Sequence, residues 1–140
     1  MEFCDGCSSV SLCLQIKQAC QLASRDTNQV TLLAVSKTKS KDLIELAYHA
    51  GQREFGESYI QEAVEKITEL QNYPDINWHF IGPIQSNKTK HIASNFSWVH
   101  SVDRVKIAQR LSEQRTPEDT PLNVCLQVNI SDEISTLFIL

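Results

Sequence analysis

Hydrophobic positions along the chain alternate between two spacings. From Val10 to Ser24, the residues Val10, Cys13, Leu14, Ile16, Ala19, Cys20 and Ala23 fall near an i, i+3, i+4, i+7 repeat, the period of an amphipathic helix that packs one face. Val30 to Ser36 then forms an unbroken apolar run rich in β-branched residues, which predicts a strand buried on both faces, as in parallel sheets. Beyond it, Ser40 is placed to cap a helix with Asp42 in its first turn. Leu43, Leu46, Ala47 and Ala50 make the apolar stripe of that helix, and Gly51 ends it.

The same alternation continues. A short strand around Arg53 to Gly56 leads to Ser58-Tyr59-Ile60-Gln61, which reads as a capping box opening a helix with Ile60, Ala63, Val64, Ile67 and Leu70 on one face. Ile76 to Ile81 predicts a third strand, followed by Gly82-Pro83 and a polar helix from about Gln85 to Ser94. Trp98 to Ser101 predicts a fourth strand, after which Asp103 caps a helix bearing Val105, Ile107, Ala108 and Leu111. A Pro-containing loop from Arg115 to Pro121 precedes a fifth strand, Leu122 to Ile130.

Strict strand-helix alternation implies a parallel sheet covered by helices, because parallel neighbours need a helix-length return connection. Two α/β architectures meet that condition. A five-stranded doubly wound domain of the flavodoxin type fits the length and is favoured by pattern alone, whereas a TIM barrel has eight strands. In both, chemistry gathers at the C-terminal ends of the strands.

Composition narrows the function. The 140 residues suit one domain, and 41% hydrophobic with 21% charged residues is ordinary for a folded protein. A formal net charge of -4 argues against nucleic acid as a partner, which calls for clustered cations. No apolar run approaches a bilayer span and the first residues lack a basic secretory start, so no membrane is expected and the location reads as cytoplasmic. The 5 Cys are scattered and odd in number, unlike a secreted disulfide framework. Cys4 and Cys7 make an isolated C-x-x-C without a second ligand pair, and His49, His91 and His100 share no ligand spacing, so no metal site is expected.

No glycine-rich phosphate loop follows the first strand, which excludes a Rossmann fingerprint and a P-loop there. A lysine follows it instead. A lysine directly after a buried strand is open to partial desolvation, which frees its amine to form a Schiff base with an aldehyde; the plain alternative is a solvated loop residue beside Lys39 and Lys41. Ser58 stands at the next strand end, as a helix cap and as a polar group at the same rim. His79 alternates with Trp78 and Phe80 and so points to the opposite side of its strand, toward a barrel interior. Asn129 ends the fifth strand. The polar, locally basic stretch Gln85 to His91 reads as a solvated face.

Three segments, Leu33-Ala34-Val35-Ser36-Lys37-Thr38-Lys39, Gly51 through Glu62 with its Phe55-Gly56-Glu57-Ser58, and Trp78-His79-Phe80-Ile81-Gly82-Pro83-Ile84-Gln85-Ser86-Asn87-Lys88, together with Val128-Asn129-Ile130-Ser131-Asp132-Glu133, resemble the YggS/PROSC family of pyridoxal phosphate homeostasis proteins. Four motifs in the family's order span from about Val30 to Glu133, within a family-like stretch of about 8–133. The resemblance implies the alanine-racemase-like TIM (β/α)8-type barrel, here incomplete, with an N-terminal helix and about five strands present, and so displaces the doubly wound reading. It implies pyridoxal 5'-phosphate (PLP) as cofactor, held as a Schiff base on Lys37, with Ser58, His79 and Asn129 as further candidates for contact. It implies a PLP carrier or regulator, not an enzyme, with PLP-dependent apo-enzymes as partners. The alternatives are a racemase-like PLP enzyme and a non-functional truncated fragment.

Two departures stand out. Ser58 occupies a position where the family has Asn, and residues 134–140 diverge from the family's continuation into the later barrel strands that bind phosphate. The sequence is therefore expected to be a partial barrel over 1–140 with a divergent tail.

Overall fold

The computed structural model describes residues 6–128. The chain enters on α1 (Gly6–Leu22), passes a single 3-10 turn at Thr27–Gln29, and then alternates through β1 (Ala34–Val35), α2 (Lys41–His49), β2 (Glu54–Glu57), α3 (Ile60–Glu69), β3 (Asn77–Phe80), α4 (Thr89–Asn95), β4 (Trp98–Val102), α5 (Val105–Glu113) and β5 (Asn123–Leu126). All neighbouring strands are parallel and lie in chain order, β1-β2-β3-β4-β5.

That order decides the architecture. In a doubly wound sheet the strand order reverses near the first strand, and helices cover both faces. Here every crossover steps the same way, so right-handed connections put α2 to α5 on one face and leave the other facing inward, as in the wall of a β/α barrel. The described residues form an incomplete barrel, and the doubly wound reading is corrected. One row of register crosses the whole wall, pairing Val35 with Gly56, Gly56 with His79, His79 with Trp98 and Trp98 with Asn123, and the β4–β5 register shifts between Val99 and Val102.

The core lies between the sheet's outer face and the helices. Phe55, Trp78, Phe80 and Val99 from the strands meet Ile44, Ala63, Ile92, Ala93, Ile107 and Leu111 from the helices. Removing such side chains from water contributes about 1.5–3 kcal/mol each for the larger ones. Phe80 and Phe96 meet edge to face, with centroids 5.3 Å apart, the arrangement ring quadrupoles favour.

Several local expectations change. The first strand shortens to Ala34–Val35 at an edge of the sheet, and Val35 is 51% exposed, so it is not buried on both faces. The α2 stripe is rotated: Ile44, Ala47 and Tyr48 pack on the core while Leu43 and Leu46 are exposed. Gly51 does end α2, at φ +100, with its N–H donating to the Tyr48 carbonyl at 2.9 Å. On α1, Cys20 is buried but Leu12, Leu14 and Leu22 are exposed, so the repeat does not pack as one face. The polar helix begins only at Thr89, whose hydroxyl donates to the Ser86 carbonyl in the preceding turn.

Candidate functional site

Lys37 lies on the loop that follows β1, at the C-terminal rim of the wall, and its side chain is exposed. The backbone on either side of it is held from beneath by a buried ionic group. Ser36 donates from its hydroxyl to Glu57 Oε1 at 2.7 Å, and its carbonyl accepts from Lys66 Nζ at 2.8 Å. The Lys66 ammonium also reaches Glu57 Oε1 at 2.8 Å and Glu62 Oε1 at 2.6 Å. Glu62 in turn accepts the backbone N–H of Thr38 at 2.6 Å.

Glu57 is fully buried and Lys66 nearly so. A lone buried charge is strongly disfavoured, and the paired arrangement is what makes both tolerable. Hydrogen bonding to Lys66, with a further contribution from the Thr38 N–H, holds the Glu62 carboxyl below the usual carboxylate range against the opposing effect of burial. Thr38 itself sits at φ +63, a left-handed conformation that is an outlier for a β-branched residue. Such strain costs on the order of 1–3 kcal/mol and persists only where the surroundings impose it.

The neighbouring loops close against one another along the same rim. Ser58 follows β2 but does not cap α3: the cap position belongs to Tyr59, and no side-chain cap bond forms, so the capping box is not made. The cap of α5 likewise falls on Arg104 and not on Asp103. Ser40 holds the cap position of α2 without a side-chain bond. The Ser58 backbone instead packs on Gly82, where any Cβ would overlap the Ser58 carbonyl oxygen. Ser101, buried near the end of β4, donates its hydroxyl to the Gly82 carbonyl.

His79 faces the inner side, as alternation along β3 requires. It lies level with Val35, two residues short of Lys37, and its ring nitrogens are engaged. Nε2 is 2.6 Å from Glu54 Oε2 and Nδ1 is 2.8 Å from His100 Nε2, with the ring stacked on Trp98 at 5.6 Å and 2°. Which ring donates in the His79–His100 contact follows from the tautomers of the two imidazoles. These residues line a cavity of about 690 Å³ shared with Thr31, Asn77 and Pro121, residues that precede or open their strands. The cavity therefore opens at the end opposite Lys37. Asn129 lies outside the described residues.

The sequence model of the family described as "Alanine racemase, N-terminal domain" matches residues 14–133. The chain belongs to that family. Among curated members, a pyridoxal phosphate homeostasis protein of Pseudomonas aeruginosa is 62% identical over 121 residues, covering 86% of this chain and 52% of that protein. The protein of the same name from Escherichia coli K12 is 50% identical over 123 residues, with the same 86% of this chain covered. The chain thus spans about half the length of these relatives. PipY of Synechococcus elongatus, solved with PLP bound, aligns with a TM-score of 0.69 at 39% identity, over 84% of this chain and 56% of that one. Its PLP-free structure gives 0.71 at 38%, over 87% and 57%.

For this family member, sequence reasoning placed Lys37 at the rim but missed Glu57, Glu62 and Lys66. A signal was present: Lys66 stands three residues after Ala63 and four before Leu70, on the core-facing stripe of its helix, where a cation needs a buried partner.

Proposed function

We propose that this protein holds PLP as a Schiff base on Lys37 and serves PLP homeostasis as a carrier rather than as an enzyme with turnover. The observation that carries this reading is an exposed lysine amine on the strand-end rim of a racemase-family barrel wall, with its flanking backbone immobilised and, among the described residues, no ion pair engaging the amine. The residues present fit the aldehyde end of the cofactor: a primary amine, an accessible rim and a rigid backbone. When bound, PLP supplies an electrophilic carbonyl carbon and an electron-accepting ring. Lys37 contributes the nucleophilic amine, Ser58 is the adjoining polar rim residue, and His79, with both ring nitrogens occupied, contributes to the inner wall.

The names of the relatives and the PLP held by PipY support the ligand and the homeostasis role. The reading includes a cytoplasmic location, consistent with Cys13, Cys20 and Cys125 as free thiols, and PLP-dependent apo-enzymes as recipients. No helix among the described residues is long and apolar enough to cross a membrane.

Titration of the chain with PLP, followed by visible absorbance, tests the proposal. A saturable Schiff-base band is expected, with Lys37→Ala weakening binding about tenfold or more, equivalent to at least about 1.4 kcal/mol. Equal saturation by the Lys37→Ala protein would overturn it.

A further inference from the structure

We infer that Glu62 is a positioning residue for Lys37, acting through the strained backbone of Thr38, with Lys66 and Glu57 as its support. The inference rests on the reading of Lys37 as the cofactor-anchoring lysine and adds to it the device that aims the amine.

The bonds of the ionic group are unevenly directed. Two end on side-chain carboxylates within the group, and the others end on Ser36 and Thr38, the residues immediately before and after Lys37. Lys66 donates to the Ser36 carbonyl, Ser36 donates to Glu57, and Glu62 accepts from the Thr38 N–H. A purely stabilising role has no need of this pattern, since well-packed apolar residues commonly replace a buried ion pair without loss of stability. Apolar residues could not, however, accept the Thr38 N–H, which Glu62 meets while Thr38 stands at φ +63. Strain next to a reactive group, imposed by surrounding bonds, is the pattern associated with pre-organisation.

Glu62 is also the member that links the two halves of the device. It sits one turn before Lys66 on α3, so the same carboxylate oxygen meets the ammonium within the helix and the loop N–H from β1. The geometry of Lys37 is thereby tied to α3, the helix that follows the second strand, and not to its own loop alone.

The test uses the whole chain with PLP and cyanoborohydride. The amine condenses with the aldehyde with loss of one water, hydride reduces the C=N bond, and peptide mass spectrometry gives the label on each lysine. Lys106, exposed on α5, serves as the internal reference for ordinary amine reactivity. In the native protein Lys37 should label faster than Lys106, and Glu62→Met, which leaves no acceptor for the Thr38 N–H, should lower the Lys37 to Lys106 ratio about tenfold, with far-ultraviolet circular dichroism unchanged. An unchanged ratio in a folded Glu62→Met protein overturns the inference. Should that variant not fold, Thr38→Gly keeps the N–H and releases the backbone; the ratio should again fall, and its constancy overturns the inference equally. Failure of Lys37 to outpace Lys106 in the native protein would instead sink the Lys37 assignment, and the positioning role with it.

Discussion

Replacing Lys66 by methionine keeps most of the side chain's length and its apolar character and removes the ammonium with its charge and its hydrogen-bond donors. The structure assigns that charge three partners, Glu57 at 2.8 Å, Glu62 at 2.6 Å and the Ser36 carbonyl at 2.8 Å, with the Glu57 side chain 0% and Lys66 8% exposed. Glu57 would remain buried with one hydroxyl donor and no cation, its Oε2 being already without a partner. Breaking a buried pair from one side costs about 3–5 kcal/mol, a large part of the roughly 5–15 kcal/mol that separates a domain from its unfolded state. With a urea dependence of about 1–3 kcal/mol per molar, the midpoint should fall by at least about 1 M. The double variant Glu57→Leu/Lys66→Met, which removes both charges, should recover more than half of the loss, a coupling that a solvated lysine would not show. A Lys66→Met midpoint indistinguishable from the native one would mean that the ammonium is in water, and the account of the rim would fall with it.

Gly82→Ala should destabilise the chain by about 1–3 kcal/mol, since its Cβ would overlap the Ser58 backbone; a neutral effect in thermal unfolding would show that the two loops are not in contact. Burial, and secondarily the neighbouring His79, lowers the His100 proton affinity below its ordinary value. The unfolded chain therefore takes up that proton first, so this contribution to stability is present above about pH 6.5 and is lost as pH falls through the folded-state value. Cys125 and, through His79, Glu54 face the same group. A His100→Gln variant should flatten the stability profile between pH 7 and 5 relative to the native chain, and an unchanged slope would contradict the assignment.

The strand-helix alternation was legible because each element carries its own period, and the five strands and the helices between them appear in the expected order, although β1 is shorter and α4 begins later than the apolar spacing put them. Sheet order was not legible from periodicity: a doubly wound domain and a barrel wall share the same local pattern, and motif resemblance separated them. The rotated face of α2 shows why. Leu43 and Ile44 are equally apolar, and only the position of the sheet beneath decides which is buried. Lys37 was visible as a lysine at a strand end, whereas its support was not, since Glu57, Glu62 and Lys66 look like ordinary charges of a solvated helix and loop until β1, β2 and α3 are brought together. His79 was read correctly as inward-facing by alternation, yet its partners Glu54 and His100 come from other strands.

The central claim concerns which amine takes the cofactor. Incubation with PLP at a concentration near stoichiometric, borohydride reduction and peptide mapping test it most directly. The account predicts that the phosphopyridoxyl label is found on the peptide bearing Lys37 and disappears in Lys37→Ala without moving to a neighbour. Label spread equally over Lys37, Lys39 and Lys41, or retained at full yield in the Lys37→Ala chain, would contradict it.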